Sequence, residues 1–164
     1  MAWRGRAKPM KPFMMSLDFE PVPTARAKAG KKGFYDPQQP LKNALGFLIN
    51  SAVARCKGQR PYEGPLALGV IFNITRPKSH YRTGKYKHLL VDDADEFYPT
   101  RADFDNYTKF ITDGMNEKVY ADDRQIVKAV ILKQFSRVGS IEVMVGPWTV
   151  KPMTLGNLTA NLFE

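Results

Sequence analysis

Residues 102–126, ADFDNYTKFITDGMNEKVYADDRQI, constrain the fold of this 164-residue chain more than any other segment. With Asp105 at a helix start, where its carboxylate accepts from the free amides of the first turn, the residues that follow fall into helical order. Tyr107, Phe110, Ile111, Gly114 and Met115 then recur at i, i+3, i+4, i+7 and i+8, the apolar stripe of a helix packed on a core. Asp105, Lys109 and Asp113, spaced by four, form a second stripe that faces elsewhere. The spacing predicts a helix over residues 105–116 with one buried side and one side equipped for chemistry.

Five aspartates stand in this run, Asp103, Asp105, Asp113, Asp122 and Asp123, within a chain of net charge +9. Asp103 lies just upstream of the helix, so it and Asp105 can share one space. Asp122 and Asp123 precede the β-rich run IVKAVILKQF, and a short turn is expected to bring them back to the helix start. Carboxylates 4 Å apart repel by roughly 4 kcal/mol per pair at an effective dielectric near 20, so such a cluster calls for a cation. Oxygen-only ligands suit Mg²⁺ or Mn²⁺ better than Zn²⁺. His80 and His88, in a basic loop without cysteine partners, are not read as ligands.

Charge along the chain is uneven. Residues 1–88 hold 17 Lys or Arg against 4 acids, whereas residues 89–123 hold 3 against 10. A basic body around an acidic focus suits a metal-dependent nuclease, with cations to hold phosphates and carboxylates to hold a metal. A basic protein with a solvated acidic face is the other reading of the same charges. No apolar run reaches membrane-spanning length and the basic start lacks a signal peptide's apolar block, so a soluble, cytoplasmic protein is expected. The single cysteine, Cys56, excludes an internal disulfide and is read as a packing residue of a helix.

In chain order, residues 1–12 read as a flexible basic arm. A first strand over 13–19 ends at Pro21 and Pro23, and the following Lys- and Gly-rich stretch offers Arg26, Lys28, Lys31 and Lys32 as phosphate contacts. Leu41, Ala44, Leu45, Leu48, Ile49, Ala52, Val53 and Cys56 mark a core helix that stops at Gly58. Leu66, Leu68, Val70, Phe72 and Ile74 alternate along a strand over 66–75. The long loop 76–100 carries Arg76, Lys78, Arg82, Lys85 and Lys87 among tyrosines, suited to a phosphate backbone. It then turns acidic at 92–96, a spacer or a segment that pairs with the basic half until DNA displaces it. Strands over 126–135 and 141–145 form a hairpin, and residues from 147 make a tail. The order β-α-β-loop-α-β-β predicts a small single domain of α/β (α+β) class, a mixed sheet with two helices over residues 13–146.

The pattern D-x-D-N-x-x-K at 103–109, then Asp113, then D-D-x-Q-I at 122–126, resembles the signature of the RusA family of Holliday junction resolvases, small endodeoxyribonucleases of phages and prophages. PVPTARAKAGKKGFYDP at 21–37 resembles the family's N-terminal segment. The resemblance covers residues 13–145. It implies a homodimer that places two symmetric nicks in a four-way DNA junction, leaving 5′-phosphate and 3′-hydroxyl ends, in the cytoplasm of a bacterial host. It implies Mg²⁺, with Mn²⁺ as a substitute, held by Asp103, Asp105 and Asp123, and Lys109 as the essential lysine. Asn106, Asp113 and Asp122 fall on supporting positions, and no small-molecule cofactor or membrane is involved. Two departures stand out: Ala102 occupies a position where the family often has proline, and the 89–100 insertion is unusually acidic. The same chemistry on forks or flaps, and a non-catalytic nucleic-acid-binding role, are the alternatives.

Overall fold

The computed structural model describes residues 11–30, 33–56, 61–99 and 102–148. The basic arm up to residue 10, Lys31 and Lys32, and the tail from residue 149 lie outside the described residues. In chain order come strand β1 (Phe13–Leu17), strands β2 (Lys28–Gly30) and β3 (Gly33–Tyr35), helix α1 (Gln39–Arg55) and strand β4 (Leu66–Thr75). Helix α2 (Phe104–Met115) and strands β5 (Ile126–Ser136) and β6 (Ser140–Pro147) follow. The expected class is the observed one: a mixed four-stranded sheet, ordered β1-β6-β4-β5, with two helices. β1 and β6, and β6 and β4, pair antiparallel, while β4 and β5 run parallel. A parallel neighbour needs a crossover rather than a tight turn. Here the crossover contains α2, the helix that carries the aspartates.

Alternation sets the buried face of the sheet. Phe13, Met15 and Leu17 of β1, Leu66, Leu68, Val70, Phe72 and Ile74 of β4, and Ile141, Val143 and Val145 of β6 point into one core. Leu45 and Ile49 of α1 and Tyr107, Phe110, Ile111 and Met115 of α2 close over it, so the apolar stripe of α2 faces where its spacing puts it. Cys56 is partly buried against this core. The opposite face of the sheet carries Met14, Gly69, Ile71, Val130, Leu132 and Met144 along an apolar groove of about 670 Å³.

Three details differ from the sequence reading. β5 and β6, expected as a hairpin, do not pair with each other, because β4 stands between them and takes β5 in parallel and β6 antiparallel. α2 begins one residue earlier than expected, with Asp103 rather than Asp105 in the capping position, and the Asp103 side chain makes no capping hydrogen bond. The basic stretch after β1 contains the small hairpin β2–β3, in register Lys28 to Tyr35. Its residues are all exposed, so no in-and-out alternation announces it.

The helices meet closely at Gly114. A Cβ there would lie 2.9 Å from Leu45 Cδ2 and 3.2 Å from Ile49 Cδ1. Gly114→Leu is therefore expected to destabilise the protein by about 1–3 kcal/mol through overpacking. A thermal melt falling by several degrees is the expected result; an unchanged melt would show that α1 gives way freely.

Candidate active site

α2 is amphipathic in the sense that matters for chemistry, with Asp103, Asp105, Lys109 and Asp113 all exposed on the side away from the core. Lys109 Nζ donates to Asp113 Oδ1 at 3.2 Å, an exposed i,i+4 ion pair. Such pairs contribute 0–1 kcal/mol, so the lysine is readily given up to a stronger anion.

The start of α2 is built from several directions. Ala102 adopts φ 54°, a left-handed conformation costing roughly 1–2 kcal/mol for a residue with a Cβ. Lys133 Nζ, from β5, donates to the Ala102 carbonyl at 3.1 Å and lies 5.5 Å from the Tyr98 ring and 5.6 Å from the Tyr107 ring. A hydrogen bond from a charged group contributes about 1.5–3 kcal/mol, enough to offset the strained turn. A proline at 102, locked near φ −65°, could not make this turn, so Ala102 gives this chain a different entry to Asp103. From the other side, Thr24 N donates to Asn106 O at 3.0 Å, pinning the segment that leads to Arg26 and Lys28 against the helix. Gln38 holds that segment in turn, accepting from Ala25 N and donating to Pro23 O. The Tyr107 phenol is pushed up to about 12, chiefly by burial and then by Tyr98 beside it.

The other two aspartates lie elsewhere. Asp122 caps a short 3-10 turn (Asp123–Gln125) and is gripped by Arg124 through Nε and Nη2, both at 2.8 Å. These bonds, with the Arg124 backbone amide, hold the Asp122 carboxyl at about 2. Gln125 ties the turn to the carbonyls of Tyr62 and Gly64 at the entrance to β4. Asp123 sits near the C-terminal end of α2, where it and Asp113 bear on Tyr120, whose hydroxyl donates to Thr112 O at 3.0 Å. Burial first, and then those two charges, push the Tyr120 phenol upward.

The five aspartates thus form two groups, Asp103 with Asp105 at the start of α2, and Asp113, Asp122 and Asp123 towards its end. Twelve residues of helix separate the ends by about 18 Å. Among the described residues no three His, Cys, Asp or Glu side chains gather as a metal site. In one chain Asp123 thus stands towards the opposite end of α2 from Asp103 and Asp105, contrary to the expectation that a short turn returns it to the helix start.

The basic residues also divide. Arg26, Lys28, Lys78, Lys85 and Lys87 are exposed. Arg76 packs over the Phe135 ring and donates to Asp95 O, and Arg82 pairs with Asp92 and donates to Leu90 O. The acidic half of the loop does bind the basic half. Lys133, Tyr98 and Phe104 were not singled out from sequence; a lysine inside an alternating strand and a phenylalanine between two aspartates were the available signals.

The family described as Endodeoxyribonuclease RusA matches residues 18–146, most of the chain and every element that positions α2 except β1. The chain belongs to the RusA family. It also resembles the uncharacterized protein YqaN of Bacillus subtilis (strain 168), 32% identical over 129 residues that cover 77% of this chain and 89% of that protein. RusA membership supports DNA-cleaving nuclease activity, in a family that acts on branched DNA junctions, and implies a divalent metal in general terms. Among the described residues of this RusA-family chain, no helix is long and apolar enough to cross a membrane.

Proposed function

We propose that this chain is a Mg²⁺-dependent endodeoxyribonuclease that resolves Holliday junctions as a homodimer, by paired symmetric nicks with 5′-phosphate and 3′-hydroxyl ends. The observation that carries the reading is the exposed D-x-D-N-x-x-K face of α2 in a RusA-family chain with a strongly basic body. The nuclease unit spans residues 13–146, flanked by an arm and a tail, and works in the bacterial cytoplasm where its substrate lies.

Asp103, Asp105 and Asp123 are the proposed ligands of Mg²⁺, for which Mn²⁺ can substitute. Because one chain holds them apart, the homodimer gains a chemical reason beside symmetry: a second copy can present its Asp123 end to the Asp103–Asp105 end of the first. Lys109 leaves Asp113 for the phosphate under attack and stabilises the charge that builds there. Asn106, Asp113 and Asp122 support these groups. Arg26, Lys28, Lys31, Lys32, Lys78, Lys85 and Lys87 hold the backbone, with Arg76 and Arg82 contributing when the acidic segment yields to DNA.

Incubation of the protein with a four-way junction, a fork, a flap and a plain duplex, each with Mg²⁺ or with chelator, tests the reading. Paired nicks on the four-way junction that require Mg²⁺ are expected. Equal cutting of forks and flaps would replace the substrate, and metal-independent binding without nicks would remove the enzyme.

Lys109→Ala separates catalysis from fold. As a surface pair the lysine contributes only about 0.2–0.5 kcal/mol. As a preorganised charge on the scissile phosphate its loss costs roughly a hundredfold in single-turnover rate. The hundredfold loss with an unmoved melting temperature is expected; a rate within threefold of the unmodified protein would exclude the catalytic role.

A further inference from the structure

A cavity of about 570 Å³ opens directly beside Asp103, lined by Tyr98, Pro99, Ala102, Asp103, Phe104 and Lys133. Its volume is that of pockets which enclose a small molecule or a part of a larger one. Phe104 is the feature the fold does not explain. It is the first residue of α2, 59% exposed, while the core stripe of the same helix is made by Tyr107, Phe110, Ile111 and Met115. A ring left in water between two carboxylates contributes little to folding, yet offers a flat apolar face.

We propose that this cavity receives an unpaired nucleobase of the strand being cut. The inference rests on the reading of the α2 start as the cleavage site, and it adds the group that the site holds beside the phosphate. Aromatic side chains stack on any base because every base has a π-face. Phe104 and Tyr98 supply such surfaces. Lys133 supplies polarity: one of its three N–H donors is committed to the Ala102 carbonyl, leaving donors for a ring nitrogen or exocyclic oxygen. Asp103 on the rim fixes the location, since a base held here belongs to a nucleotide adjoining the bond that the carboxylate serves. Extrusion of a base is least costly where pairing is already interrupted, as at the centre of a branched junction. The slot therefore favours branch points over continuous duplex through the strand's own weakness rather than by reading a sequence.

The test uses the full chain with chelator present, so that no cutting occurs. Four-way junctions carry the fluorescent base 2-aminopurine at single positions within two nucleotides of the crossover, and a short single strand carries it internally. The unmodified protein should brighten one junction position on binding. Phe104→Ala should remove that brightening and weaken binding roughly 5- to 150-fold, and Phe104→Trp should restore both. Brightening and affinity in Phe104→Ala within twofold of the unmodified protein would overturn the slot, whatever the nuclease assays show. Phe104-dependent brightening in a protein that cuts no branched DNA with any divalent ion would keep the slot and remove the nuclease reading. Absence of binding to any of these DNAs would overturn both.

Discussion

Asp105→Asn is expected to give a protein that holds a four-way junction at least as tightly as the unmodified chain and does not cut it. The side chain lies exposed in the first turn of α2, where its charge favours the helix dipole by about 0.3–1 kcal/mol. Asparagine keeps the size and loses only that small contribution, so the melting temperature should hardly change. Cutting should fall by on the order of a thousandfold, the scale seen when a charge-handling group leaves a preorganised site. Binding should hold or tighten, because a negative charge facing phosphate has been removed. Asp103→Asn and Asp123→Asn should behave alike, although they stand at opposite ends of α2 in one chain. Single-turnover nicking with Mg²⁺, gel mobility with chelator and a thermal melt supply the three readings. Nicking retained in two of the three variants would mean that the metal ligands are other residues.

Junction affinity should fall roughly a thousandfold between 50 and 200 mM salt. Arg26, Lys28, Lys78, Lys85, Lys87 and Lys109 are exposed cations on the described surface. Neutralising about six phosphates releases enough counterions to give a log–log slope near −5. Arg76 and Arg82 are omitted because their guanidinium groups are already engaged by Phe135, Asp95 and Asp92. A nearly flat titration would show that these residues do not line the DNA path. A slope well above this would show that Arg82 breaks its pair with Asp92 on binding.

The parts of the fold that rest on side-chain periodicity were legible in the sequence. The stripe of α2 and the alternation of β4 and β6 are properties of neighbouring residues, and the core follows from them. The family was legible for a related reason, since its motif lies within one helix and the turn that follows it. What periodicity does not carry is direction. β5 runs parallel to β4, so the chain leaving α2 must enter β5 at the end farthest from Asp103. That is why Asp123, like Asp113, acts electrostatically on Tyr120 at that other end instead. Hairpin β2–β3 was missed because exposed strands leave no apolar alternation, and Lys133 because its role depends on the carbonyl of Ala102, which no side-chain pattern reveals.

The loop bonds along β5 carry one more consequence. β5 is an outer strand of the sheet, and outer strands present unpaired amides and carbonyls that can template another chain. Here Glu96 O accepts from Phe135 N at 2.8 Å and Tyr98 N donates to Lys133 O at 3.2 Å, so residues 96–98 pair with Lys133–Phe135 along that open edge. Residues 96–98 thus close part of the rim of the sheet to a further strand, and do so with backbone groups that tolerate almost any side chain.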